Sequence, residues 1–144
     1  MEQAKGFEIE ISQDILDELM RSLEQLESST DLEGTAIVSK TGLRIASSET
    51  ADVTTDIYSA SPATLISLGE KISHGLEQGE LKDIVISGNR GYTIIVVGDA
   101  DNDFMLFTNC KKGYKLGYYF HKIRKAFKEM EAVLKKIETK DIKY

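Results

Sequence analysis

The chain has 144 residues, with 18 Lys and Arg against 24 Asp and Glu, a net charge of -6 and 41% hydrophobic residues. That composition describes one ordinary soluble domain, long enough to bury a core without metals or disulfides. It excludes a disordered tail and makes two packed domains unexpected.

Phe7, Ile9 and Ile11 alternate with Glu8, Glu10 and Ser12, the period of a half-buried strand, so residues 1–11 read as an arm that adds an extra strand. Ser12 is placed to cap a helix whose stripe Ile15, Leu16, Leu19, Leu23 and Leu26 carries it to about Ser28, with a break at Asp31 to Gly34. Thr35 to Ser39 and Leu43 to Ser47, joined by Lys40-Thr41-Gly42, form a β-hairpin. Glu49 to Thr55 reads as a polar loop. From about Asp56 to Leu76 helical spacing returns, with Tyr58, Leu65, Leu68, Ile72 and Leu76 on the face assigned to the core. Pro62 leaves two starts open: Ser61 as the cap with Pro62 leading the helix, or a start near Asp56 with a kink.

Leu81 to Ser87, Tyr92 to Gly98 and Phe104 to Asn109 follow as an antiparallel meander. The last helix begins near Lys115. Its stripe Leu116, Phe120, Ile123, Phe127, Met130, Leu134 and Ile137 spans roughly 35 Å at 1.5 Å per residue. Thr139 to Tyr144 is expected to fray. The order is αββαβββα, so the fold expected is α+β, a single antiparallel five-stranded sheet with helices on both faces. The main domain then covers 12–138, between the arm and a tail of 139–144.

The chemistry is sparse. The lone Cys110 excludes an internal disulfide and a zinc site built from cysteine pairs, and a reducing cytosol is the compartment expected. No basic segment leads into an apolar one at the start, and the longest apolar stretch, Ile94 to Val97, is strand-sized, so neither a secretory signal nor membrane insertion is expected. There is no G-x-x-x-x-G-K-[ST], no G-x-G-x-x-G opening a helix, no G-x-S-x-G and no S-x-x-K, so neither a phosphate cradle nor a serine nucleophile is indicated. Asp99, Asp101 and Asp103 imitate the start of a calcium loop, but Phe104 stands where glycine is needed and Cys110 where a bidentate glutamate is needed. His74 and His121 have no ligand spacing. Cys110 reads as a small buried apolar residue, although Lys111 and Lys112 beside it could lower its pKa. No enzyme, cofactor or metal is expected.

Charge divides the chain: residues 1–110 carry net -13 and residues 111–144 net +7. The basic end reads as the solvated outer face of the last helix, and no nucleic acid is expected, because stacking aromatics or a binding motif do not accompany it. Two surfaces suggest protein contacts instead. The second helix carries a row of mostly small residues, Ser59, Pro62, Ile66, Gly69 and Ser73, that would let another helix approach. With the meander joined to the hairpin through the strand Phe104 to Asn109, the strand Leu81 to Ser87 lies at a sheet edge, and its centre Ile84-Val85-Ile86 is uncharged. Together they suggest a two-fold dimer through Pro62, Ile66, Gly69, Ser73, Ile84, Val85 and Ile86.

The run Gly34-Thr35-Ala36-Ile37-Val38-Ser39-Lys40-Thr41-Gly42-Leu43-Arg44-Ile45-Ala46-Ser47-Ser48 resembles the first hairpin of the Roadblock / dynein light chain family. Ala60 to Leu76, the strands Asp83 to Gly88 and Gly91 to Val97, and Leu116-Gly117 follow that family's order, over roughly Leu26 to Ile137. The resemblance implies a non-enzymatic dimer. The strand Leu81 to Ser87 would pair across the two-fold into a ten-stranded sheet, with the helices Asp56 to Leu76 packed together on one face. It further implies a scaffold or regulator of a Ras-like small GTPase, bound through the outer surface of the second helix and stimulated by repositioning of the GTPase's own switch residues. The alternative in the same fold neighbourhood is a structural adaptor or a longin/profilin-like module binding a motor, trafficking or cytoskeletal partner.

Overall fold

The computed structural model describes residues 6–48 and 56–142. The loop expected over Glu49 to Thr55 lies outside them. The strands are β1 (Gly6–Glu10), β2 (Gly34–Ser39), β3 (Arg44–Ser47), β4 (Asp83–Ser87), β5 (Gly91–Val97), β6 (Phe104–Lys111) and β7 (Glu138–Ile142). The helices are α1 (Gln13–Thr30), α2 (Ala60–Gly75) and α3 (Leu116–Leu134), and a 3-10 turn, Asp56–Tyr58, precedes α2. Five strands form an antiparallel sheet in the order β3-β2-β6-β5-β4, so β3 and β4 are its edges, as the strand pattern implied.

Each central strand is buried on both faces, so its apolar residues run on continuously and sort by parity between two layers. Ile37, Ile94, Val96, Phe104 and Leu106 point to α1 and α3, where Leu19, Leu23, Leu26, Ile123, Phe127 and Met130 meet them. Ala36, Val38, Ile95, Val97, Met105 and Phe107 point to the other face, where Tyr58 and Ile66 cover them. The fold is therefore the α+β sheet with helices on both faces that the element order predicted.

Helix boundaries follow local chemistry. The Ser12 hydroxyl accepts from the Ile15 N–H at 3.3 Å, which caps α1, and Asp31, at φ 67°, closes it by donating its N–H to the Glu27 carbonyl. Gly42 at φ +98° makes the β2–β3 turn, a conformation that suits glycine, and Ser39 Oγ accepts there from the Leu43 N–H at 2.9 Å. The α2 start matches neither alternative read from Pro62: the N-cap is Ser59, and Pro62 sits in the first turn, where its missing N–H has no partner to lose.

Two differences concern the chain ends and α3. The tail does not fray at once, because Glu138–Ile142 pairs antiparallel with the arm strand Gly6–Glu10, from Gly6 opposite Ile142 to Glu10 opposite Glu138. The arm thus joins its own chain's other end and leaves the main sheet alone, forming a separate two-stranded ribbon. α3 has 19 residues, hence about 28 Å, and its fully buried aromatic near the start is Tyr119 while Phe120 is half-buried. The Tyr119 hydroxyl donates to the Lys111 carbonyl at 3.2 Å, which gives the buried phenol its partner.

Candidate functional site

The largest departure from the sequence pattern lies in α2. The row of small residues faces inward: Pro62, Ile66 and Ser73 are buried, Ile66 within the cluster of Val38, Ile95 and Phe107. Gly69 is where the helix descends onto its own strands, since a Cβ there would stand 3.0 Å from Leu81 Cδ2 and 3.4 Å from Ile84 Cδ1. Ser73 Oγ donates to the Gly79 carbonyl at 2.6 Å and ties the helix end to the loop before β4. The interface role expected of Pro62, Ile66, Gly69 and Ser73 is thus corrected: these residues serve the chain's own sheet, because only a row this small lets α2 approach it closely.

The face assigned to the core points outward. Leu68 is 54% exposed, Ile72 60% and Leu76 65%, with Ile57 of the preceding turn at 56%. Tyr58 alone of that set is fully buried, edge-on to Phe107 at 5.0 Å between centroids, and Leu65 is partly buried. Single exposed leucines are ordinary, but large apolar residues one and two turns apart along one helix make a contiguous stripe of the kind proteins cover with a partner.

The open edge of the sheet lies beside the end of this helix. Among the described residues β4 pairs with β5 alone, in register Asp83 to Val96 through Ser87 to Tyr92. The Val97 N–H donates to the Lys82 carbonyl and the Gly88 N–H to the Gly91 carbonyl, so even-numbered β4 residues bond to β5. By the alternation of an antiparallel ladder, Asp83, Val85 and Ser87 turn their backbone N–H and C=O groups outward. Charges guard one end of the strand: Asp83 pairs with Arg124 of α3, and Lys82 lies 3.7 Å from Asp99. Its centre carries none. Ile84 packs under α2, Ile86 is 45% exposed on the same side, and Val85 is partly buried on the opposite side.

The remaining candidates resolve into structure. Cys110 is buried, and desolvation pushes its thiol pKa up, with a smaller opposing effect from a hydrogen bond to the Tyr92 backbone, so the neighbouring lysines do not make it a nucleophile. The Asp99–Asp103 segment is a turn in which the Asn102 N–H donates to the Asp99 carbonyl and Asn102 Oδ1 accepts from Phe104. Among the described residues no cluster of His, Cys, Asp and Glu could hold a metal, and no helix is long and apolar enough to cross a membrane.

What this site offers is therefore apolar surface beside unpaired strand backbone, a combination suited to another protein. Comparison with known proteins agrees with the fold. Myxococcus xanthus MglB superposes with a TM-score of 0.74 at 16% identity, over 88% of this chain and 99% of that one. An MglB described with a tetrameric arrangement gives 0.76 at 13%, over 88% and 94%. A Roadblock/LC7 domain from Streptomyces avermitilis gives 0.72 at 13%, over 81% and 97%. No curated protein matches the chain. The family profile of the Roadblock/LC7 domain matches residues 19–108, more than half of the sequence, and the chain belongs to that family.

Proposed function

We propose that the chain is a non-enzymatic, dimeric regulator or scaffold for a Ras-like small GTPase. The observation that carries this reading is the exposed stripe Leu68, Ile72 and Leu76 on a Roadblock/LC7 fold, next to an unpaired β4 edge. Two copies related by a two-fold axis would align their β4 strands antiparallel into one continuous sheet and cover both α2 stripes at once. In this reading Val85 offers its backbone and Ile86 its exposed side chain to the mate, Ile84 supports the strand from within, and Leu68, Ile72 and Leu76 supply the helix contribution. The solved MglB with a tetrameric arrangement supports an assembling chain.

The GTPase partner is what family membership implies, and the absence of a phosphate cradle in the sequence assigns any nucleotide to the partner. Family resemblance further implies that stimulation of hydrolysis would come from repositioning the GTPase's own switch residues. The function is exercised where the chain works, in a cytoplasmic compartment. Affinity capture of the tagged protein with GDP or a non-hydrolysable GTP analogue tests it. A small GTPase enriched in one nucleotide state is the expected result. A motor, trafficking or cytoskeletal protein captured with no GTPase in either state would overturn it.

A further inference from the structure

From Lys111 to Lys128 the chain carries seven Lys and Arg and no carboxylate, against a net charge of -6 for the whole. On α3, Gly117, Phe120, His121, Arg124, Lys125 and Lys128 line an open depression of about 540 Å³ along the helix flank. All but Phe120 are exposed. The steps from 117 are 3, 4, 7, 8 and 11, one continuous helical stripe. Phe120 is half-buried with the Arg124 guanidinium 4.5 Å over its ring, and that guanidinium also pairs with Asp83 of β4. Lys125 also borders a second hollow, between α1 and α3, which Glu129 lines with it. The stripe lies on the sheet face opposite α2, and Arg124 ties it to the edge strand β4 through Asp83.

We propose that this flank of α3 docks an acidic amphipathic helix of a partner protein. A helical stripe with an aromatic recessed between cations offers ridges and a groove to a second helix, whose carboxylates would meet Lys125, Lys128 and His121 while an apolar residue packs over Gly117 beside Phe120. A lipid surface fits less well, because no large apolar side chain projects from the stripe; those exposed among the described residues lie elsewhere. Nucleic acid fits less well too, because the only aromatic on the stripe already has a guanidinium over its face.

The test is fluorescence anisotropy of the full chain with a labelled peptide of Glu, Leu and Ala, patterned as an amphipathic helix, and with the same composition scrambled to destroy the pattern. The patterned peptide is expected to bind at low salt and to lose about tenfold in affinity with Lys125→Glu/Lys128→Glu. Lys135→Glu/Lys136→Glu, the same charge change at exposed positions beyond the depression, is expected to leave binding nearly unchanged. Equal losses in the two double variants, or equal binding of the scrambled peptide, would overturn the site in favour of general charge attraction. Binding to phosphatidylserine vesicles or to a short single-stranded RNA, with none to the patterned peptide, would overturn the choice of partner. Circular dichroism checks that both variants fold, and sedimentation checks that both keep the oligomeric state of the parent.

Discussion

Val85→Pro separates the dimer from the fold. In β4 the even residues bond to β5, so the Val85 N–H points to the open edge and no described residue of the chain uses it. Proline on an outward position of an edge strand is compatible with the sheet, whereas Ile84→Pro would remove a bond to β5 opposite Ile95. In a two-fold pair the loss occurs twice. At about 1 kcal/mol per hydrogen bond, and up to about 2 kcal/mol where the facing carbonyl is left buried and unpaired, the dimer loses about 2–4 kcal/mol. At 1.4 kcal/mol per tenfold, its dissociation constant rises roughly 30-fold to several hundred-fold. Sedimentation equilibrium measures that constant, and circular dichroism checks that the monomer keeps its sheet. A folded Val85→Pro protein that dimerises as tightly as the parent would refute strand pairing at this edge; an Ile84→Pro protein as stable as the parent would refute the assigned parity.

Ile72→Glu should also dissociate the dimer, since up to about 1.5–3 kcal/mol of burial per protomer is lost and a charge is introduced; unchanged sedimentation would place the interface elsewhere. Gly69→Leu should destabilise the isolated chain by about 1–3 kcal/mol through overpacking against Leu81 and Ile84, and an unchanged melting temperature would mean α2 is not seated there. Burial raises the pKa of both the Cys110 thiol and the Tyr119 phenol. The unfolded chain therefore releases these protons first, and the stability they contribute, complete at neutral pH, declines as pH rises past the ordinary thiol and phenol values of about 8.5 and 10. Urea midpoints should fall across that range, and less so in Cys110→Ala/Tyr119→Phe; identical slopes for the two proteins would contradict the assignment.

Much of this was legible in residues whose meaning is local. Ser12 before an acidic first turn, Lys40-Thr41-Gly42 between β-branched runs, and the 3- and 4-residue steps of α3 each specify their element without tertiary information. The facing of α2 was not. Tyr58, Leu65, Leu68, Ile72 and Leu76 form a larger apolar stripe than Pro62, Ile66, Gly69 and Ser73, and periodicity measures the stripe without saying which side a sheet will take. Gly69 held the clue: a glycine inside a helix costs about 1 kcal/mol relative to alanine, and its neighbours Leu81 and Ile84 show what close approach it serves. The β7 strand was illegible for another reason, since Glu138–Ile142 pairs only with a segment at the far end of the chain.

That terminal ribbon separates the molecule into parts that need not open together. A two-stranded pair has little stability of its own, and Gly6 opposite Ile142 is among the longest-range contacts the chain makes. Its entropic cost is small only after α1 and α3 have packed side by side and brought the two strands close. The ribbon is then expected to close last in folding and to open first in the native state. Amides of 6–10 and 138–142 would exchange with solvent through this opening while those of β2, β5 and β6 wait for global unfolding.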